Sequence, residues 1–415
     1  MIFDMIKEKY IDTIKSRVDI SQLVMDLCPG TSLLNAGKNR KKCCCVFHSE
    51  KTPSLMLDLS LNMFKCFGCG KGGDIISFVQ ELKGFDFVEA VKFLLKTYCP
   101  DVDTSDLYSK QTDEEIEAEQ HRESLFICNK FAYDFFRQQY EADCEESARC
   151  RLYAEDRWER EFCKTLGVGY APLKGNQFLA FARKQGLKTE LLLELGLVAQ
   201  EEDHPDHYYD FYRGRLMIPQ RDRYGRIVTF TARSLNPQAT NKYLNGKDSP
   251  IYKKSLSIFG IDVALKAARQ SGKVYLVEGA PDVMRLQSLG IPNVVASLGS
   301  AWSKEQLNTF SRFGCSLCFI PDADVPKEGE RFGKGEQFVF KNGRLATELG
   351  FQVSVREIPT DGKVKQDADS YITSMDQWET LTEKDFILWY ADKHYDLDGT
   401  NDDQLKTISE VCDLL

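Results

Sequence analysis

The sequence predicts a multidomain α+β chain: a small cysteine- and glycine-rich module of short strands, a larger α/β region on a parallel sheet, and a short helical end. Two observations predict it. Residues 31–73 mix lysine, glycine, cysteine and aromatic residues and read as short strands and turns. From residue 274 onward, short apolar runs alternate with helical patterns, which points to a parallel sheet.

Taken in order, residues 5–27 read as helical, because Ile6, Ile11, Ile14, Val18 and Leu23 recur roughly three to four apart. After the strand-and-turn stretch a helical pattern returns from Asp74 to Tyr98, and Pro100 ends it. Residues 101–123 are polar and acidic and read as a linker whose second half can be helical. Residues 124–140 are helical, and 150–200 alternate short helices and turns. Strands follow at 215–219 and 227–233, joined by the turn Asp222-Arg223-Tyr224-Gly225. The α/β rhythm then runs as strand 274–277, helix 281–289, strand 294–296, helix 304–310, strand 316–320, helix 335–349 and strand 352–358. The last 40 residues look helical and acidic. The expected divisions are 1–100, a linker 101–123, 124–271, 272–372 and 373–415.

With 415 residues, the chain has room for two to four domains. No run of about 18 apolar residues is present, so no membrane-spanning helix is expected. No apolar stretch follows a basic start, so no signal peptide is read and a cytoplasmic protein is expected. The net charge of −9 argues weakly against nucleic acid as a partner, but basic residues gather at Lys38-Asn39-Arg40-Lys41-Lys42 and between Arg213 and Arg233. In a reducing compartment most of the 14 cysteines are expected to be buried thiols, Cys315 and Cys318 among them. The cluster between Cys43 and Cys69 is the exception.

There, Cys45-Val46-Phe47-His48 is followed after seventeen residues by Cys66-Phe67-Gly68-Cys69. Three thiolates and an imidazole in two tight knuckles suit one structural, tetrahedral Zn²⁺. Of Cys43, Cys44 and Cys45, spacing favours Cys45. Lys65 and Phe64, with Lys41, Lys42, Lys51, Phe67 and Lys71, offer ammonium groups for phosphates and rings for base stacking. At least one of Phe64 and Phe67 is expected to fill the module's small core instead.

The second constellation is acidic. The strand 274–277 ends in Glu278-Gly279-Ala280-Pro281-Asp282, and the strand 317–320 ends in Pro321-Asp322-Ala323-Asp324. Ligands of open α/β sheets sit at the carboxyl ends of strands, and adjacent carboxylates that stay ionised usually share a cation such as Mg²⁺. Asp367 and Asp369 form a further pair. Between the two constellations lies a basic ridge: Arg213, Arg215, Arg221, Arg223, Arg226, Arg233, Lys242, Lys253 and Lys254, interleaved with Tyr212, Tyr243 and Tyr252. Arg221, Arg223 and Arg226, near a turn, are read instead as surface charges guarding a strand edge.

Together these pieces resemble the DnaG-type bacterial and phage primases. The resemblance is carried by the opening helix at Ile14-Lys15-Ser16-Arg17-Val18-Asp19-Ile20, Cys45 with His48, Glu50-Lys51-Thr52-Pro53-Ser54 and Cys66-Phe67-Gly68-Cys69-Gly70. It continues in Leu166-Gly167-Val168-Gly169-Tyr170-Ala171-Pro172, Arg215-Leu216-Met217-Ile218-Pro219, Arg233, Lys242-Tyr243-Leu244-Asn245, Glu278 with Asp282, and Asp322 with Asp324. It runs from about residue 10 to residue 372. It implies a CHC2 zinc ribbon, then an RNA polymerase core made of a basic α/β subdomain and a Rossmann-like Toprim subdomain. It also implies that Glu278, Asp322 and Asp324 hold two or more Mg²⁺ or Mn²⁺ ions catalytically, with Asp282, Asp367 and Asp369 nearby or as extra ligands. Arg215, Arg233, Lys242 and Lys254 would contact template or nucleotide phosphates. The implied reaction is synthesis of short RNA primers from ribonucleoside triphosphates on single-stranded DNA. An RNA primer–DNA hybrid and a replicative helicase are the further partners, in a bacterium or for a phage or mobile element. Two departures stand out. Residues 325–335 form a longer loop after Asp324 than the family's short turn, and the end is too short for a full helicase-binding domain. The competing expectations are a non-catalytic module that binds single-stranded DNA or a helicase, the primase portion of a larger primase-helicase, and another Toprim enzyme such as a topoisomerase or nuclease. A topoisomerase would need a nucleophilic tyrosine in a separate domain, and no convincing candidate is present.

Overall fold

The computed structural model describes residues 6–105, 107, 113–299, 301–311, 314–360, 364–395 and 400–414. Parts of the expected linker (106 and 108–112) and of the C-terminal segment (396–399 and 415) lie outside the described residues. The chain divides into two compact units, Met1–Ala118 and Glu119–Leu415. No helix among the described residues is long and apolar enough to cross a membrane.

The first unit opens with α1 (Glu8–Arg17) and α2 (Ile20–Leu27). Asp19 separates them, its carboxylate accepting the backbone N–H groups of Ser21 and Gln22 as the N-cap of α2. An antiparallel sheet follows in the order β1 (Leu34–Asn35), β2 (Arg40–Cys43), β3 (Leu55–Asp58), β4 (Met63–Cys66) and β5 (Gly72–Asp74). Strand alternation buries Leu55 and Leu57 of β3 and Phe64 and Cys66 of β4. The helical pattern expected from Asp74 to Tyr98 is two helices, α3 (Ile75–Lys83) and α4 (Phe87–Tyr98). Gly84, in the left-handed conformation at φ 69°, ends the first, and an Asp86–Glu89 capping box starts the second.

Helix α5 (Asp113–Glu141) starts before the division at residue 118 and continues into the second unit, so the acidic half of the expected linker is helical. Then come α6 (Glu145–Trp158), α7 (Arg160–Leu166), β6 (Gly169–Ala171), α8 (Gln177–Lys184), α9 (Thr189–Glu194) and the paired β7 (Val198–Gln200) and β8 (Tyr208–Asp210). The strands β9 (Arg215–Arg221), β10 (Ile227–Ser234) and β11 (Tyr243–Asn245) join β6 in an antiparallel sheet ordered β11-β10-β9-β6. The long α5 packs Phe136 against Phe230 of β10, and its Asn129 amide donates to the Val228 carbonyl.

After α10 (Ile261–Ser271) the α/β region follows: β12 (Lys273–Val277), α11 (Ala280–Ser288), β13 (Val294–Ala296), α12 (Lys304–Ser311), β14 (Ser316–Phe319), α13 (Lys334–Glu348), β15 (Val353–Arg356), α14 (Ala368–Tyr371), α15 (Met375–Thr380), β16 (Glu383–Asp385), α16 (Phe386–His394) and α17 (Asn401–Leu414). Its sheet runs β13-β12-β14-β15-β16, parallel except for β16. The order positions the site: β12 and β14 are hydrogen-bonded neighbours, so the residues that follow them emerge side by side at the same sheet edge. Cys315 and Cys318 are buried here, as expected of core thiols. The C-terminal segment is helical, and it also lends β16 to the sheet, with Phe386 and Trp389 buried in the core beside it.

Candidate active site and metal centres

Glu278 leaves the end of β12, while Asp322 and Asp324 leave the end of β14. Each offers a carboxylate oxygen, and these atoms all lie within 4.8 Å of one another. The Asp322 N–H donates to Glu278 Oε1 at 3.3 Å, and the Gly335 N–H donates to Asp324 Oδ2 at 3.0 Å. Lys365 Nζ stands 2.8 Å from both Asp322 Oδ2 and Asp324 Oδ1. Burial, reinforced by the neighbouring carboxylates, pushes Glu278 up to about 7. Burial also raises Asp322, to about 6, with Lys365 pulling against it. Such a cluster is short of positive charge, and an all-oxygen donor set fits Mg²⁺ or Mn²⁺.

The other acidic residues expected here do different work. Asp282 is buried: Oδ2 accepts the Gly279 N–H at 3.1 Å, capping α11, and Oδ1 accepts the Asp369 N–H at 3.1 Å. It therefore shapes the turn after Glu278 and lies outside the ligand cluster. Asp367 caps α14 by accepting the Ser370 N–H, and its charge reaches Asp322. Asp369 is corrected from an extra metal ligand to an anchor. Its side chain is fully buried, with Trp158 Nε1 donating to Oδ1 at 2.8 Å, Arg157 paired to Oδ2 and Arg285 Nε 3.4 Å from Oδ1. Those two arginines already balance its charge, and it lies outside the cluster formed by Glu278, Asp322 and Asp324.

Arg157 leads on to the basic ridge. Its Nη1 donates to the Tyr153 hydroxyl at 2.7 Å, and Arg233 Nε donates to the same oxygen at 3.2 Å. Arg233 of β10 lies opposite Tyr243 of β11, with its guanidinium 5.0 Å from the ring centroid. Hydrogen bonds thus run from the ridge through Tyr153, Arg157, Asp369 and Asp282 to the turn beside Glu278. Sequence reasoning missed Tyr153, Arg157, Trp158 and Arg285, which lie in no motif and carry no local signal. It also missed Lys365, although that residue stands two positions before Asp367, in a stretch already singled out for its acidic pair.

Elsewhere on the ridge, Arg215 Nη1 donates to the Asn241 carbonyl at 3.1 Å, bracing the loop before β11. Asn245 accepts the Thr231 hydroxyl at 2.9 Å. Lys242 is exposed beside Tyr243, whereas Lys254 is exposed in the loop after β11 and lies off that strand pairing.

In the first unit, one ligand atom from each of Cys45, His48, Cys66 and Cys69 lies within 4.8 Å of the others. Cys45 Sγ and Cys69 Sγ are 3.8 Å apart, as are Cys66 Sγ and His48 Nδ1. A tetrahedron with metal–sulfur bonds of about 2.3 Å has edges of roughly that length, so the group fits Zn²⁺. The Phe47 and Cys69 N–H groups donate to Cys45 Sγ and Cys66 Sγ, each at 3.3 Å, as two knuckles require. Of the three consecutive cysteines, Cys43 is buried and Cys44 is exposed, leaving Cys45 in the cluster. Sequence reasoning gave no role here to Glu50, whose Oε2 lies 3.2 Å from His48 Nε2 while Oε1 accepts the Cys45 N–H at 2.6 Å. A carboxylate behind a histidine ligand fixes its orientation. Gly68 is required as well, since a Cβ there would lie 2.7 Å from His48 Nε2.

Phe64 is corrected from a nucleic-acid contact to a core residue: it is 2% exposed, and its ring packs against Phe47 and Phe78. Phe67, on the second knuckle, is 72% exposed. Lys65 is half-buried, with Nζ 3.3 Å from the Gly70 carbonyl.

Three family profiles match in succession: a CHC2 zinc finger over residues 6–110, the N-terminal domain of the DNA primase catalytic core over 135–265, and a Toprim-like domain over 275–372. The chain belongs to the DnaG-type primase family. A DNA primase of Clostridium acetobutylicum is 31% identical over 363 residues, covering 87% of this chain and 56% of that protein. A DNA primase of Staphylococcus aureus is 29% identical over 367 residues, covering 88% and 58%. The chain thus spans just over half the length of these primases. Among solved structures, the zinc-binding and RNA polymerase domains of Aquifex aeolicus primase match with a TM-score of 0.58 at 25% identity, covering 98% of this chain and 92% of that one. The RNA polymerase domain of Mycobacterium tuberculosis primase has the same fold as the matched part, with a TM-score of 0.60 at 23% identity and coverage of 71% and 94%.

Proposed function

We propose that this chain is the primer-synthesising part of a DNA primase. The convergence of Glu278, Asp322 and Asp324 at the ends of adjacent parallel strands carries the reading. These three would hold Mg²⁺ or Mn²⁺, with Asp367 adding negative charge from close by. The bound cations would align the attacking oxygen and neutralise charge on the triphosphate. The reaction joins a 3′-hydroxyl oxygen to the α-phosphorus of a ribonucleoside triphosphate, breaks the α–β bond and releases pyrophosphate.

The chain's own residues supply the rest. Asp282 holds the Gly279 turn, which sets where Glu278 points. Lys365 brings a positive charge to Asp322 and Asp324. Arg233, Lys242 and Lys254 would bind template or nucleotide phosphates, with Tyr243 beside them for stacking and Arg215 bracing the loop that carries Lys242. Cys45, His48, Cys66 and Cys69 would hold a structural Zn²⁺, in a domain we assign to residues 1–100, and Phe67 and Lys65 would meet single-stranded DNA. We assign 124–271 to the basic part of the core, 272–372 to the Toprim part and 373–415 to the C-terminal segment. A relative's catalytic domain has been solved bound to single-stranded DNA, which supports the same template class here. A replicative helicase is the expected partner, in the cytoplasm of a bacterium or of a bacterium hosting a phage or mobile element.

The test is RNA synthesis from labelled ribonucleotides on single-stranded DNA with Mg²⁺ or Mn²⁺, beside an Asp322→Ala/Asp324→Ala variant. Short products from the unmodified chain alone are expected. Products from both would remove the site assignment, and products from neither, with varied templates and added helicase, would favour a non-catalytic DNA-binding module.

A further inference from the structure

The longer loop after Asp324 is tied to the C-terminal helix α16. The start of α13 lies directly on the paired aspartates: a Cβ on Gly335 would sit 2.0 Å from the Asp322 carbonyl oxygen, and one on Gly333 would sit 2.5 Å from that of Asp324. From there the Gly335 N–H reaches Asp324 Oδ2. On its other side the same segment is held by α16. Arg331 Nη2 donates to the Lys393 and His394 carbonyls, at 3.1 Å each. These lie at the C-terminal end of α16, where carbonyls lack intrahelical donors and the helix dipole favours a cation. Lys393 Nζ pairs with Glu336 Oε1 at 2.7 Å, while Glu336 Oε2 accepts the Gly333 N–H at 3.0 Å. Phe332 packs against both Phe340 and His394, with ring centroids 4.9 and 4.8 Å away, and those two rings lie 4.3 Å from each other.

We propose that Arg331 and Lys393 are positioning residues: the end of α16 grips residues 331–336, and that segment sets the Asp324 carboxylate in the orientation that holds a divalent cation. This rests on the metal-binding reading of Glu278, Asp322 and Asp324. Neither residue touches the reacting atoms.

The experiment is a Mn²⁺ titration of the zinc-loaded full chain, followed by the electron paramagnetic resonance signal of free Mn²⁺. The proteins compared are the unmodified chain, Arg331→Ala, Arg331→Lys, Lys393→Met and Asp322→Asn. Arg331→Ala is expected to weaken Mn²⁺ binding roughly tenfold, the lower end for groups that orient metal ligands. Arg331→Lys, which can still donate to the helix-end carbonyls, should recover most of that loss, and Lys393→Met should weaken binding in the same direction. In primer synthesis the Mn²⁺ concentration for half-maximal rate should rise while the saturating rate is kept. Unchanged Mn²⁺ affinity in a folded Arg331→Ala protein would overturn the proposal. If that variant does not fold, Lys393→Met decides by the same criterion. Should Asp322→Asn bind Mn²⁺ as the unmodified chain does, the metal-site reading itself fails and takes the proposal with it.

Discussion

Asp369→Asn separates an anchor from a metal ligand. The substitution keeps the shape and can keep the bond from Trp158 Nε1, but it removes the charge facing Arg157 and Arg285. Removing one partner of a buried ion pair costs about 3–5 kcal/mol, because the other charge is left uncompensated. Arg157 retains 29% side-chain exposure and can recover some hydration, which places the expected loss near the low end, about 3 kcal/mol. With about 2.1 cal/mol/K of unfolding entropy per residue, a unit of about 300 residues loses about 1.6 °C per kcal/mol, so a fall of about 5 °C is expected. Differential scanning calorimetry gives that number, read on the transition of the second unit since the chain need not melt in one step. Mn²⁺ affinity, measured on the same protein below its transition, should change far less than in Asp322→Asn. The reasoning is refuted if Asp369→Asn melts like the unmodified chain and yet loses Mn²⁺ binding, for then the carboxylate serves the cation and not the arginines.

Other measurements bear on the ring assignments and on the acidic cluster. Phe64→Ala should destabilise the first unit by about 3–5 kcal/mol, as loss of a buried aromatic does. Phe67→Ala should leave its melting unchanged while weakening binding of a short single-stranded oligonucleotide by about 1–3 kcal/mol, measured by fluorescence anisotropy; equal effects on melting would contradict the assignment of the two rings. In the acidic cluster, Mn²⁺ binding should weaken as pH falls from about 8 to about 6, since Glu278 at about 7 and Asp322 at about 6 must lose protons to bind a cation. The sign for stability is opposite: with folded values raised above the ordinary carboxylate range, these groups favour the fold at low pH, and that contribution is lost as pH rises through about 6 to 7. Melting at a series of pH values without added Mg²⁺ or Mn²⁺ checks it.

What could be read from the sequence follows from how local each signal is. The cluster of Cys45, His48, Cys66 and Cys69 is legible because each knuckle is four residues long and closes on itself. The acidic residues are legible because Glu278 and Asp322 each follow an apolar strand, although only the sheet order makes those strands neighbours. Phe64 was within reach too: it is two residues from Cys66 on β4, so both face the same side, and the side that turns to the core is set by that parity. The role of Asp369 was not, because its partners Arg157 and Trp158 stand 212 and 211 residues earlier in the chain.

The short strand β16 shows the same limit from the other direction. Glu383-Lys384-Asp385 has no β-forming residue and no apolar alternation. It is a strand because β15 offers a free edge and because Lys273 of β12 pairs with Glu383 at 2.7 Å, with the Ser354 hydroxyl donating to the same carboxylate at 2.6 Å. Its pairing is therefore decided by tertiary charge and not by propensity. That strand leads directly into α16, whose far end carries Lys393 and grips Arg331 beside the loop after Asp324. A segment that reads as an acidic helical end is thus built into the sheet at one end and braces the aspartate loop at the other, so truncation before residue 383 should cost both stability of the second unit, read by calorimetry, and affinity for the cation, read by Mn²⁺ titration.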